Sequence, residues 1–144
     1  MVTGHCLCGA VTVRLDGALP GISACHCDYC TRWGGGLQMG FDVPAAQVTV
    51  TGPVKSHRSS PLAERAWCDT CGSSLWLRDY TSGAAGSYEI CPGLFENAAG
   101  LALDRVVYAD RHPTGFWLEG SDVTRISKED YEAVNPHLHK ETTP

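Results

Sequence analysis

Seven of the eight cysteines in this 144-residue chain gather into three short stretches, and that clustering constrains the fold more than any other feature. They are Cys6 and Cys8 in HCLCG, Cys25, Cys27 and Cys30 in CHCDYC, and Cys68 and Cys71 in CDTCG, with Cys91 standing alone. Zinc takes four ligands in a tetrahedron at about 2.3 Å from sulfur, and a turn of the C-x-x-C kind presents two sulfurs to one ion. The glycines that follow Cys8 and Cys71 suit such turns, because glycine adopts positive φ at no steric cost. Cys6 and Cys8 with Cys68 and Cys71 would close a four-thiolate site that clamps the N-terminal segment to mid-chain strands. The competing reading is a set of free or disulfide-linked cysteines. The opening Met-Val-Thr-Gly-His-Cys has no basic region, apolar stretch or cleavage signature of a secretory leader, so a cytoplasmic location is expected. In that reducing setting clustered thiols more often mean metal than disulfides.

Cys25, Cys27 and Cys30 remain as three ligands from one tight loop. Three protein ligands leave one coordination position open, the arrangement of a zinc that handles substrate. Three thiolates make the ion a weak Lewis acid and a poor activator of water, yet suit it to binding an incoming thiol and holding it as a thiolate for attack on an electrophilic carbon. A fourth protein ligand would instead make the site purely structural, and Cys91, at the end of SYEIC, is the candidate. His26 lies between two ligands of an extended C-x-C and is expected to point away into supporting hydrogen bonds. His57, His112, His137 and His139 have no ligand spacing and are expected at the surface.

The chain reads as mainly β. AVTVRLDG alternates apolar Val11, Val13 and Leu15 with polar neighbours before Asp-Gly, the pattern of a half-buried strand closed by a turn. Similar short runs recur at residues 37–44, 47–52, 54–60, 64–68, 73–80, 87–91 and 105–109. Helix is sparse: FENAAGLALD allows a turn or two, and Ser127 caps KEDYEAV before Pro136 ends it. The division expected is a zinc-binding β domain over 1–126 and a C-terminal helix with a loose polar tail over 127–144. Trp67, Trp76 and Trp117 are placed in the core and Trp33 near the open site.

Eleven basic against sixteen acidic residues, with the basic ones scattered, weigh against nucleic acid as a partner. No apolar run approaches the roughly 18 residues of a membrane span. A homodimer is compatible with this pattern and nothing in the sequence argues for it.

The order C-x-C-G, C-H-C-x-x-C, C-x-x-C-G resembles the glutathione-dependent formaldehyde-activating family, which includes centromere protein V. The likeness runs from about Gly4 to Gly120 through GHCLCGAVTVRLDG, SSPLAERAWCDTCGSSLWLRD and LFENAAGLALDRVVYADRHPTGFWL. It implies a β-tent fold of short antiparallel strands with zinc knuckles and two zinc ions per chain. Cys6, Cys8, Cys68 and Cys71 would hold the structural ion, and Cys25, Cys27 and Cys30 the catalytic one. The implied activity is a carbon-sulfur lyase reaction that joins glutathione, or another small thiol, to formaldehyde as S-(hydroxymethyl)glutathione. The alternative is a non-catalytic zinc-stabilised binding or scaffold module. After the third ligand the sequence reads TRWGGG, where Arg32, Trp33, Gly34 and Gly35 are candidates to cradle a substrate carboxylate through backbone N-H groups and one guanidinium. A flexible turn is the competing reading. Asp28 and Tyr29 are candidates for proton transfer.

Overall fold

A computed structural model describes residues 1–81 and 86–140, the last two by backbone alone. Among the described residues, eleven strands and only two α-helices make the protein mainly β. Two compact units emerge, Met1–Pro20 with Gly40–Leu101, and Gly21–Met39 with Ala102–Pro144.

In the first unit, strands β1 (Val2–His5) and β2 (Thr12–Leu15) form an antiparallel hairpin, and β3 follows at Ile22–Cys25 in the second unit. Strands β4 (Gln38–Pro44) and β5 (Val48–Thr51) come next, and β5 pairs with β2 to complete a three-stranded sheet. Strands β6 (Val54–Arg58), β7 (Ala63–Cys68), β8 (Ser74–Asp79) and β9 (Ser87–Ile90) form an antiparallel meander, with β4 on β9. Alternation in β2 sends Val13 and Leu15 fully inward, as the period-two pattern requires, with Val11, Phe41, Leu75 and Ile90 also at zero exposure. Phe41 and Phe95 meet at 5.8 Å between ring centroids. Gly4 is obligatory beneath them, since a β-carbon there would sit 2.6 Å from the Leu94 carbonyl oxygen and 2.7 Å from a Phe95 ring carbon.

The FENAAGLALD segment makes a short turn at Glu96–Gly100, and it is left-handed: Asn97, Ala98 and Ala99 have φ of 48°, 50° and 57°. Side chains resist that region, so three consecutive non-glycine residues there store strain.

In the second unit, β10 (Leu103–Val107) runs parallel to both β3 and β11 (Thr124–Ile126). These parallel pairs depart from the antiparallel pattern of the rest. Parallel neighbours need a crossover of a dozen or more residues, and residues 108–123 supply the one from β10 to β11. Helix α1 (Asp28–Gly34) replaces the loop expected after the second cysteine pair, and helix α2 (Lys128–Val134) lies where the capping pattern placed it. The Ser127 hydroxyl accepts from the Asp130 N-H at 3.1 Å. The tail expected to be loose begins with a single 3₁₀ segment, Pro136–Lys140; residues 141–144 and the side chain of His139 lie outside the described residues.

Candidate metal centres

The first cluster is built by two tight turns of the first unit. Between β1 and β2 the Gly9 N-H donates to the Cys6 carbonyl at 3.0 Å, and after β7 the Gly72 N-H donates to the Cys68 carbonyl at 2.9 Å. Both glycines take the positive φ that the sequence required of them, 76° and 75°. The turns bring Cys6, Cys8, Cys68 and Cys71 together with all four sulfurs within 4.8 Å of one another. Cys6 and Cys8 sulfurs lie 3.6 Å apart and Cys8 and Cys68 sulfurs 3.9 Å apart. A tetrahedron with arms of about 2.3 Å has edges of about 3.8 Å, so these spacings suit zinc and are far too long for a disulfide. The donors around the sulfurs agree: the Val11 N-H points at Cys6 Sγ from 3.2 Å, and the Ser73 hydroxyl lies 3.2 Å from Cys71 Sγ. Ser73 also accepts from the Leu7 N-H at 3.0 Å, locking one turn to the other. The Ser73 hydroxyl and backbone N-H pull the Cys71 thiol down to about 5, the preference of a sulfur built to be a thiolate.

The second cluster belongs to the second unit. Cys25 ends β3, Cys27 is the N-cap of α1 and Cys30 lies in its first turn, buried. Their sulfurs also lie within 4.8 Å of one another. The capping role is unusual: Cys27 Sγ accepts the Cys30 N-H at 3.5 Å, where a serine or aspartate oxygen normally sits. Cys25 Sγ accepts the Cys27 N-H at the same distance. Hydrogen bonds from the Cys25 and Cys30 thiols pull Cys27 down to about 2, while the same trio pushes Cys25 well above the usual thiol range. Three thiolates this close repel one another, and a divalent ion is what lets all three be charged together. Both sets of donors therefore could hold a metal ion, and an all-sulfur set selects zinc over magnesium or calcium.

Cys91 belongs to neither cluster. Its sulfur lies 3.5 Å from the Ser74 hydroxyl, in the first unit.

The other candidates fall as follows. Arg32 and Trp33 occupy the last turn of α1, Gly34 ends it, and Gly35 terminates it in the left-handed region at φ 78°. Asp28 pairs with Arg111 at 3.0 Å on the surface. His26 does point away from the cluster, but into the interior, at 2% exposure. Burial lowers its pKa and outweighs a hydrogen bond to the backbone of Gly36. One placement was wrong: Trp117 is 58% exposed because it sits in the crossover beside β10, not in a strand. His112 is partly buried, its ring edge-on to His26 at 6.4 Å between centroids, and like the other described histidines it joins neither cluster.

Tyr108 escaped the sequence reading altogether. It follows β10 with φ 52° and ψ 41°, a strained conformation for a bulky residue, and its phenol donates to Glu132 Oε1 at 3.0 Å. Burial, reinforced by that carboxylate, pushes its pKa far above the ordinary range. A tyrosine directly after a Val-Val pair looks in sequence like one more strand position.

Residues 1–111 match the family model described as glutathione-dependent formaldehyde-activating enzyme. The chain belongs to that family. An uncharacterized lyase of Schizosaccharomyces pombe (strain 972 / ATCC 24843) is 32% identical to this family member over 111 residues, spanning 76% of this chain and 80% of the yeast protein. A crystal structure of a Rhodobacter sphaeroides protein matches it with a TM-score of 0.53 at 19% identity, covering 65% of this chain and 87% of that one, a likeness of fold. Both cysteine clusters lie inside the segment that the family model covers. No described helix is long and apolar enough to cross a membrane.

Proposed function

We propose that this chain is a zinc-dependent carbon-sulfur lyase that joins a small thiol, with glutathione the first candidate, to formaldehyde. The observation that carries the reading is the difference between the two clusters: four sulfurs in one, and three in the other with no fourth Cys, His, Asp or Glu among the described residues. A four-sulfur set saturates zinc and serves structure, whereas a three-sulfur set keeps room for a substrate atom. Family membership and the lyase name of the yeast relative support the same reaction class.

When bound, the second zinc would supply acidification of the incoming thiol and a fixed position for its sulfur. The chain's own contribution is to hold that sulfur's surroundings still. The Cys27 and Cys30 backbone N-H groups fix the sulfurs of Cys25 and Cys27, and the Thr31 hydroxyl donates to the His26 carbonyl at 3.2 Å, closing the loop on itself. The Asp28–Arg111 pair ties the first turn of α1 to the segment after β10. In the reaction the new carbon-sulfur bond forms as the carbonyl π bond opens, and the thiol proton ends on the hydroxyl oxygen. Asp28 and Tyr29, beside the ligands, are the groups we assign to carry that proton. Arg32, Trp33, Gly34 and Gly35 on the end of α1 are assigned to the substrate's carboxylate side.

The test is the initial rate of S-(hydroxymethyl)glutathione formation by the zinc-loaded protein, followed by exchange NMR against the spontaneous addition. Acceleration that disappears in Cys27→Ser, with the first zinc retained, supports the lyase reading. A rate equal to background in fully zinc-loaded protein sinks it in favour of the scaffold module.

A further inference from the structure

The second unit contains a cleft of about 250 Å³ lined by His26, Val106, Ala109, His112, Trp117, Leu118 and Arg125. None of the three cluster cysteines lines it. His26 separates the two, because in the extended Cys25-His26-Cys27 stretch successive side chains point to opposite sides. Trp117 and Leu118 come from the β10–β11 crossover and Arg125 from β11, so the cleft is built largely by the segment that follows β10.

Its polar groups are few and specific. The imidazole of His26 is buried at 2% exposure, and its Nδ1 has no hydrogen-bond partner. A buried ring nitrogen left unpaired is costly unless a ligand supplies the partner. Arg125 is held by donating to the Leu118 carbonyl at 2.7 Å and the Val123 carbonyl at 3.2 Å, and it has no carboxylate partner among the described residues. Its remaining N-H groups are available in a fixed fork. The three acids of the crossover are engaged elsewhere and none lines the cleft: Asp110 accepts from the Lys128 N-H at 2.7 Å, Glu119 from the Trp117 indole at 3.3 Å, and Asp122 from Ser121 at 3.1 Å. Val106, Ala109, Leu118 and the face of Trp117 supply the apolar wall.

We infer that this cleft is a second small-molecule site, separate from the sulfur cluster, for a small carboxylate that carries a hydroxyl and an apolar body. The carboxylate faces Arg125, the hydroxyl pairs with His26 Nδ1, and the apolar body lies against Trp117 and Leu118. An ammonium donor in place of the hydroxyl would meet the Arg125 charge, and a thiol is too weak a donor to satisfy the imidazole. At about 250 Å³ the cleft falls below the roughly 300–1,000 Å³ of drug-sized sites and suits a metabolite-sized ligand. The inference does not depend on the lyase reading, since it concerns the opposite side of the metal loop.

The experiment is titration of zinc-loaded, ¹⁵N-labelled protein with three probes: mandelate, phenylacetate without the hydroxyl, and benzyl alcohol without the carboxylate. Mandelate should give saturable shifts centred on the Trp117 indole N-H and the amides of His26 and Arg125. Phenylacetate should bind at least about threefold more weakly and benzyl alcohol at least about tenfold more weakly. Arg125→Gln should weaken mandelate at least about tenfold, and Arg125→Lys should recover part of that loss. No saturable shift up to about 20 mM mandelate, equal binding of benzyl alcohol, or shifts confined to the Cys27 and Cys30 amides would each overturn the proposal.

Discussion

Replacing Cys68 with serine should destabilise the first unit, whereas replacing Cys27 should silence the protein while leaving its stability nearly unchanged. Cys68 is fully buried at the end of β7, with its sulfur 3.9 Å from that of Cys8. Structural zinc sites contribute about 10–16 kcal/mol in small peptides, so one of four sulfurs accounts for roughly 2.5–4 kcal/mol if the ligands share equally. Serine oxygen is a poor replacement in an all-sulfur set. For a chain of this size, about 3 kcal/mol corresponds to a fall in Tm of roughly 10 °C, a large part of a total stability of about 5–15 kcal/mol. The readouts are zinc per chain by atomic emission and Tm by circular dichroism, for the wild type, Cys68→Ser and Cys27→Ser side by side. Cys68→Ser should hold the first zinc more weakly and lose the predicted stability. Cys27→Ser should lose only the second zinc and show a Tm within a few degrees of wild type. A Cys68→Ser protein that keeps two zinc ions and its wild-type Tm would refute the assignment of that cluster as the structural one.

Three further perturbations probe the surroundings. Tyr108→Phe removes a hydrogen bond to a carboxylate that ties α2 to the end of β10, and should cost about 1–2 kcal/mol in urea unfolding, with α2 amides exchanging faster; unchanged protection there would contradict the link. Ala98→Gly relieves a left-handed alanine in the Glu96–Gly100 turn and should leave Tm unchanged or raise it by a few degrees, where the same change in an ordinary strand lowers it. Burial lowers the pKa of His26 from its ordinary value of 6.5, so below that pH the unfolded chain takes up a proton that the folded chain does not. The stability advantage of wild type over His26→Gln should therefore shrink as pH falls from 7.5 to 5.5, by at most about 1.4 kcal/mol per unit, and a constant difference across that window would contradict a buried neutral imidazole.

The parts of this protein legible in its sequence are those set by short-range pattern. The alternation around Val11, Val13 and Leu15, the glycines after Cys8 and Cys71 and the Ser127 cap each carry a local signature, and each element formed where that signature put it. The sorting of seven cysteines into groups of four and three was legible too, because ligand spacing is itself local and only the pairing of two turns is long-range. Helix α1 was missed because its cap is a cysteine and its end runs into three glycines, so neither boundary looks helical. The parallel pairing of β10 was missed because it follows from a crossover, and the crossover's residues 108–123 have no periodicity to betray it. The same blindness put Trp117 in the core and hid both Tyr108 and the cleft, which depend on how that segment is arranged.

The central claim is that the two clusters hold zinc in different coordination, and X-ray absorption at the zinc edge measures this directly. With four sulfurs at one ion and three at the other, the protein carrying two zinc ions per chain should show an average of 3.5 sulfurs per zinc at about 2.3 Å, with the remainder a lighter oxygen or nitrogen neighbour. Added glutathione should raise that average toward four. An average of four sulfurs in the absence of any added thiol would mean that a further cysteine closes the second site, and would contradict the account.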